Sequence, residues 1–122
     1  MNPVKPKILY IDDEADLLDL ASSFFEEENL YIDTCTHIQG ALELVRKDNY
    51  DLIITDMRMP NGSGPELLHI LRKEGKFQGK VILVTGNVDS FDSKDGTLCD
   101  LVLFKPLRFQ ELIDQVKLLL SL

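Results

Sequence analysis

A doubly wound α/β fold, with five parallel strands and helices on both faces, is the class this chain predicts. Three observations carry that reading. Short apolar runs recur along the 122 residues and four of them end on a polar residue. The segments between the runs place apolar residues at helical spacing. The alternation of run and helix continues from end to end, which is the pattern of βαβ units. Strands that are apolar throughout are those buried on both faces of a parallel sheet.

The first run, Lys7-Ile8-Leu9-Tyr10-Ile11, leads into Asp12-Asp13, and Leu17, Leu18, Ala21, Phe24 and Phe25 then form the stripe of a first helix. Leu30 to Cys35 alternates apolar and polar as an edge strand does, with Asp33 guarding against edge-to-edge pairing. Thr36 followed by Gln39 makes a capping box for a second helix, whose inward stripe is Ile38, Ala41, Leu42 and Val45. Asp51-Leu52-Ile53-Ile54-Thr55 runs into Asp56. Pro65, after Gly64, suits the first turn of a third helix carrying Leu67, Leu68 and Leu71 inward. Lys80-Val81-Ile82-Leu83-Val84 runs into Thr85. The stretch from Asn87 to Leu98 should hold a fourth helix, but its Asp, Ser and Gly residues compete with helix formation, so a short or irregular one is expected there. Leu101-Val102-Leu103-Phe104 leads into Lys105-Pro106, and the last helix presents Phe109, Leu112, Ile113, Val116, Leu119 and Leu120 on one face.

The length fits one domain able to bury roughly two-thirds of its unfolded surface, enough for a core without disulfides or metal staples. Lys and Arg total 13 against 21 Asp and Glu, a formal net charge of -8. That excess of acid repels nucleic-acid phosphate and anionic lipid, so no direct binding to either is expected. No apolar stretch approaches the roughly 20 residues of a bilayer span, and the polar start lacks the apolar core of a signal peptide. A cytoplasmic protein is expected.

Open parallel sheets put their ligand sites beyond the carboxyl ends of the strands. There this chain brings together three carboxylates, a hydroxyl and an ammonium, a set suited to holding a phosphoryl group. A carboxylate attacks a phosphoryl group poorly because both are anionic, so a metal must neutralise the approach. Asp12, Asp13 and Asp56 are hard oxygen ligands, and an open cluster with few carboxylates suits Mg2+. Mutual repulsion among them is expected to raise at least one pKa, so metal binding should weaken as the pH falls.

The strand-end residues resemble those of the response-regulator receiver domains of two-component phosphorelays. The matching residues are Asp12-Asp13, Asp56-Met57-Arg58-Met59-Pro60 with Gly64 after it, Thr85-Gly86, and Lys105-Pro106, in the family's order and across nearly the whole chain. Four motifs in register are far harder to meet by chance than one short pattern. The resemblance implies a flavodoxin-like (βα)5 doubly wound parallel sheet of strand order 2-1-3-4-5, and a single receiver domain over residues 1–122 with no output domain. It implies that Asp56 accepts a phosphoryl group from phospho-histidine on a histidine kinase or histidine phosphotransfer protein. Lys105 then pairs with one phosphoryl oxygen, Thr85 donates to another, and the Arg58 backbone carbonyl joins Asp12, Asp13 and Asp56 around Mg2+. Three carboxylates, one Mg2+ and one lysine balance to zero charge, so phosphorylation adds uncompensated negative charge that biases the interaction surface toward a downstream effector. The implied chemistry is self-catalysed transfer and hydrolysis at Asp56, with no separate substrate to turn over. In that strand order Cys35 and Cys99 lie at opposite edges, four spacings or roughly 19 Å apart, beyond disulfide reach.

The chain also departs from the family. Val102 stands where many receivers carry a Tyr or Phe three residues before the Lys, and Phe104, two residues on, does not occupy that position. Arg58 and Asn87 hold the two places that tune hydrolysis of the acyl phosphate. Taken singly, the site residues have plainer readings: Asp12 and Asp13 as helix caps, Thr85 as a turn residue, Lys105 as a solvated lysine. Jointly these need four independent accidents. His37 and His69 are read as surface residues without a second ligand at metal spacing, Met57 and Met59 as loop packing, and Lys73, Lys76 and Lys80 as favourable charge near the third helix's C-terminus. Two other functions compete. A phosphorylation-independent, receiver-like adaptor is suggested by Val102 and the unusual fourth segment. A haloacid-dehalogenase-like phosphatase needs a second Asp two residues after the nucleophile, where this chain has Arg58.

Overall fold

The computed structural model describes residues 5–60, 62–86 and 99–122. The elements, in chain order, are β1 (Ile8–Ile11), α1 (Ala15–Glu27), β2 (Ile32–Cys35), α2 (Ile38–Lys47), β3 (Leu52–Asp56), β4 (Arg58–Met59), β5 (Gly62–Ser63), α3 (Gly64–Glu74), β6 (Lys80–Thr85), β7 (Leu101–Phe104) and α4 (Phe109–Leu119). Five strands form one sheet in the order β2-β1-β3-β6-β7, every neighbouring pair parallel. This is the expected 2-1-3-4-5 flavodoxin-like arrangement, with β6 and β7 as its fourth and fifth strands. The expected helix between Asn87 and Leu98 lies outside the described residues. Among the described residues no helix is long and apolar enough to cross a membrane.

Because consecutive side chains of a strand point to opposite faces, each central strand feeds two cores. On one face Ile8, Tyr10, Leu52, Ile54, Ile82 and Val84 pack against Leu18, Ala21 and Phe25 of α1 and Leu112, Ile113 and Val116 of α4. On the other, Leu9, Ile11, Ile53, Val81 and Leu83 pack against Ala41, Leu42 and Val45 of α2 and Leu67, Leu68 and Leu71 of α3. The helical stripes read from the sequence are therefore buried or, at Leu17, Ile38, Phe109, Leu119 and Leu120, partly buried against these cores. Phe24 is the exception: it is 39% exposed and lies at the rim of α1, its ring 5.3 Å from that of Phe109. The parallel register of β1 and β3, with Ile11 opposite Thr55, brings the residues that follow them to a common edge.

Two local expectations need correction. The Thr36 capping box does not form: the residue before α2 is His37, in extended backbone with no side-chain cap. Cys35 keeps the chain extended one residue further, because its carbonyl accepts from the Asp12 amide at 3.1 Å while its thiol donates to the His37 carbonyl at 3.1 Å. The side-chain cap falls instead on α3, where Ser63 Oγ accepts from the Glu66 amide at 3.2 Å with Pro65 in the first turn and Gly75 left-handed at the C-terminus. Asp33, expected only as an edge charge, accepts a 2.7 Å hydrogen bond from the Tyr50 hydroxyl.

His37 and His69 are exposed, and Met57 is packed inward, as expected. Cys35 ends one edge strand, Cys99 precedes the other, and neither is in a disulfide. Thiol counting on unfolded, unreduced protein should return two. A count of zero without dimer formation would contradict the strand order.

Candidate functional site

The polar groups of the site are delivered by strand ends, those of the buried β1, β3 and β6 and that of the part-exposed edge strand β7. Asp12 follows β1, Asp56 ends β3, Thr85 ends β6, and Lys105 follows β7. The ends are held level by ladder bonds: the Met57 amide donates to the Val84 carbonyl at 2.8 Å, and the Lys105 amide to the Thr85 carbonyl at 2.8 Å. Asp56 lies opposite Val84, and Thr85 opposite Phe104.

Asp12, Asp13 and Asp56 each offer a carboxylate oxygen, all within 4.8 Å of one another, with Asp12 and Asp56 buried and Asp13 exposed. Lys105 Nζ donates to Asp56 Oδ2 at 3.0 Å and to Asp12 Oδ2 at 3.3 Å. The other oxygen of Asp12 accepts from the Glu14 amide at 2.9 Å. The capping interpretation of Asp12 is thus half right, since one of its oxygens steadies the turn into α1 while the other faces the cluster. Thr85 is buried at the adjoining strand end. Arg58 lies in β4, opposite Ser63, two residues past Asp56 and with its side chain exposed.

Burial pushes the Asp12 carboxyl above its ordinary value. The Glu14 amide and Lys105 pull it back, and the Asp56 charge adds to the rise. The expected upward shift is present, but desolvation outranks repulsion among the carboxylates as its cause. Burial works against the charge of Lys105, yet hydrogen bonding and attraction to Asp56, then to Asp12, leave its pKa raised. A carboxyl with a raised folded pKa contributes stability below the ordinary carboxylate range, and loses it as the pH climbs through the raised value. Ionised Asp12 is therefore a cost to the metal-free fold at neutral pH. Asp12→Asn should melt at a higher temperature than the parent in chelator at pH 7, and the advantage should vanish in acid. Calorimetry showing the variant less stable at pH 7 would contradict this.

The stretch after Asp56 carries two features not read from the sequence. One is the two-residue ladder pairing Arg58 with Ser63 and Met59 with Gly62; Gly62 has φ +152°, where a side chain would be strained. The other is the close seating of α3 on the site. The Gly64 amide donates to the Met57 carbonyl at 3.1 Å, and a Cβ at Gly64 would stand 2.5 Å from the Asp56 carbonyl oxygen. Gly64→Ala is expected to destabilise the fold by about 1–3 kcal/mol through overpacking and to displace Asp56. Urea unfolding with an unchanged midpoint would show that the loop absorbs the methyl group.

Comparisons with known proteins agree with this geometry. VanR, a regulatory protein of Enterococcus faecium, is 32% identical over 113 residues, covering 91% of this chain; the chain spans only 48% of VanR. The solved receiver domain of Francisella response regulator 1452 superposes with a TM-score of 0.86 at 32% identity, covering 96% of this chain and 98% of that one. The response regulator TrrA of Thermotoga maritima, solved in complex with Mg2+-BeF, gives a TM-score of 0.83 at 34% identity, over 93% of this chain and 98% of that one. TrrA has also been solved in complex with the histidine kinase ThkA, with a TM-score of 0.82 at 35% identity over 94% of this chain and 98% of that one. The family model for the response regulator receiver domain matches residues 8–117, almost the full length, and the chain belongs to that family.

Proposed function

We propose that this chain is one receiver domain, residues 1–122, which takes a phosphoryl group onto Asp56 from phospho-histidine on a histidine kinase or histidine phosphotransfer protein. The observation that carries the reading is the double hydrogen bond of Lys105 Nζ to Asp56 and Asp12, with Asp13 beside them. Three hard oxygens facing one cation on an open strand edge fit Mg2+. Asp12, Asp13, Asp56 and the Arg58 carbonyl would hold it. When bound, the ion neutralises the approach of two anions and orients phosphoryl oxygens.

The protein's own groups do the rest. Asp56 is 7% exposed, and one of its oxygens lies within 4.8 Å of a carboxylate oxygen of the exposed Asp13. The carboxylate attacks phosphorus, the bond to the imidazole nitrogen breaks, and the donor leaves as histidine. Lys105 moves from the Asp56 carboxylate to a phosphoryl oxygen, and Thr85 donates to another. A cleft of about 400 Å3 beside Lys105, lined in part by Leu17, Leu20, Pro106 and Phe109, supports approach by a protein-borne imidazole. Phosphorylation then shifts the population of the surface that meets a downstream effector, in a cytoplasmic setting without direct nucleic-acid or membrane binding. With Val102 where an aromatic is usual, the shift acts through Thr85 and its loop.

Incubation with Mg2+ and acetyl phosphate should add one phosphoryl group by intact mass. No addition in Mg2+, with the fold intact, would favour the phosphorylation-independent adaptor.

A further inference from the structure

Tyr10 Oη is a buried side-chain oxygen that meets no hydrogen-bond partner among the described residues. A buried hydroxyl left unpaired is costly, and Phe or Val in the same apolar run would avoid that cost. Tyr10 sits in β1 between Thr34 of β2 and Ile54 of β3. Asp12 lies two residues beyond Tyr10, and Asp56 two beyond Ile54. Side chains two apart share a sheet face, so the phenol and both carboxylates belong to the face covered by α1 and α4. Its ring is part of the core there with Leu18, Ala21, Ile54 and Val84. A phenol is an O–H donor at neutral pH.

The resting partners of Asp12 are fully committed. Glu14 holds Oδ1, and Lys105 holds Oδ2 through the longer of its two bonds. On the reading of Asp56 given above, a phosphoryl group draws Lys105 away. Asp12, at 0% exposure, would then lose one of its two resting donors. We propose that Tyr10 is a positioning residue whose hydroxyl donates to Asp12 when Lys105 turns to a phosphoryl group on Asp56. The unpaired hydroxyl of the resting state is a donor held in reserve. Its engagement ties the phosphorylated site to the core layer beneath α1 and α4.

The test uses the whole chain labelled with 13C at the phenol carbon of its three tyrosines, with Tyr10→Phe to assign the Tyr10 signal and beryllofluoride as the phosphoryl stand-in. The Tyr10 signal should move little with Mg2+ alone and clearly with Mg2+ plus beryllofluoride. Tyr10→Phe should weaken beryllofluoride binding roughly three- to tenfold, the worth of one hydrogen bond, with Mg2+ affinity held within about twofold. The proposal is overturned if beryllofluoride perturbs the Asp56 amide while the Tyr10 signal stays still. It is also overturned if Tyr10→Phe weakens neither ligand, or weakens both by one factor, as a packing defect would. If beryllofluoride does not bind the parent protein at all, the reading of Asp56 falls, and this proposal with it.

Discussion

Asp56→Asn is expected to abolish phosphoryl incorporation from acetyl phosphate and from a phospho-histidine donor, with the fold retained. An amide is neutral and a far weaker nucleophile, but it keeps an oxygen for Lys105 to donate to. The neighbouring acids are poor substitutes. Asp12 is buried with one oxygen on the Glu14 amide and the other on Lys105. Asp13 is exposed, and Lys105 makes its ion pairs with Asp12 and Asp56. Intact mass after incubation, with melting temperature as the control for folding, reads the result. Substantial phosphate retained at another residue of the variant would refute Asp56 as sole acceptor.

The strand ends were legible because two physical signals coincide there. A run such as Leu52 to Thr55 must be buried on both faces, so it marks a central parallel strand, and the polar residue that stops it must lie at an edge. Three such runs, with a fourth that forms the part-exposed edge strand β7, locate a site without any knowledge of side-chain geometry. Strand order puts Lys105 and Asp12 at the same end of the sheet but three strands apart, and the long lysine side chain closes the gap to 3.3 Å. Other features depend on depth and local competition, which a linear pattern does not carry. Thr36 and Gln39 have capping-box spacing, yet the extended residue before α2 is His37, so Thr36 stands one position too early to cap. Ser63 and Glu66 have the same spacing and do form the side-chain cap at the start of α3. The sequence carries that second signal as plainly as the first.

Tyr10 was hidden for a different reason. Within Ile8-Leu9-Tyr10-Ile11 an aromatic reads as core, and its ring is core; only the three-dimensional environment shows that the hydroxyl has no partner among the described residues. The cause of the Asp12 shift is hidden on the same ground. Spacing reveals that carboxylates converge, so repulsion is the visible term. Complete burial of one of them is not visible, and desolvation proves the larger effect.

Asp13→Ala should lower Mg2+ affinity by at least about tenfold, the lower end of what even an outer-shell partner of a metal is worth. The same substitution should slow phosphoryl incorporation in step. Asp13 is the exposed member of the three-carboxylate cluster, so its removal takes away a ligand without opening the core. Asp12 and Asp56 remain, but Lys105 then opposes two carboxylates instead of three, and the site attracts a divalent cation less. Protons compete for the same oxygens. Because burial raises the Asp12 pKa, the affinity of the parent protein should begin to fall above the ordinary carboxylate range and keep falling as the solution becomes more acid. Titration of chelator-treated protein, followed by amide shifts at the loops after β1 and β3, measures both effects. Unchanged affinity in Asp13→Ala would remove it from the ligand set. Affinity independent of pH down to the ordinary carboxylate range would mean that Asp12 is not part of the ligand set, leaving Asp56 to bind the ion with another group. Chelation of the metal should also stop labelling of Asp56 from acetyl phosphate in the parent protein, since the ionised carboxylate then faces the phosphoryl group with Lys105 as its nearest counter-charge.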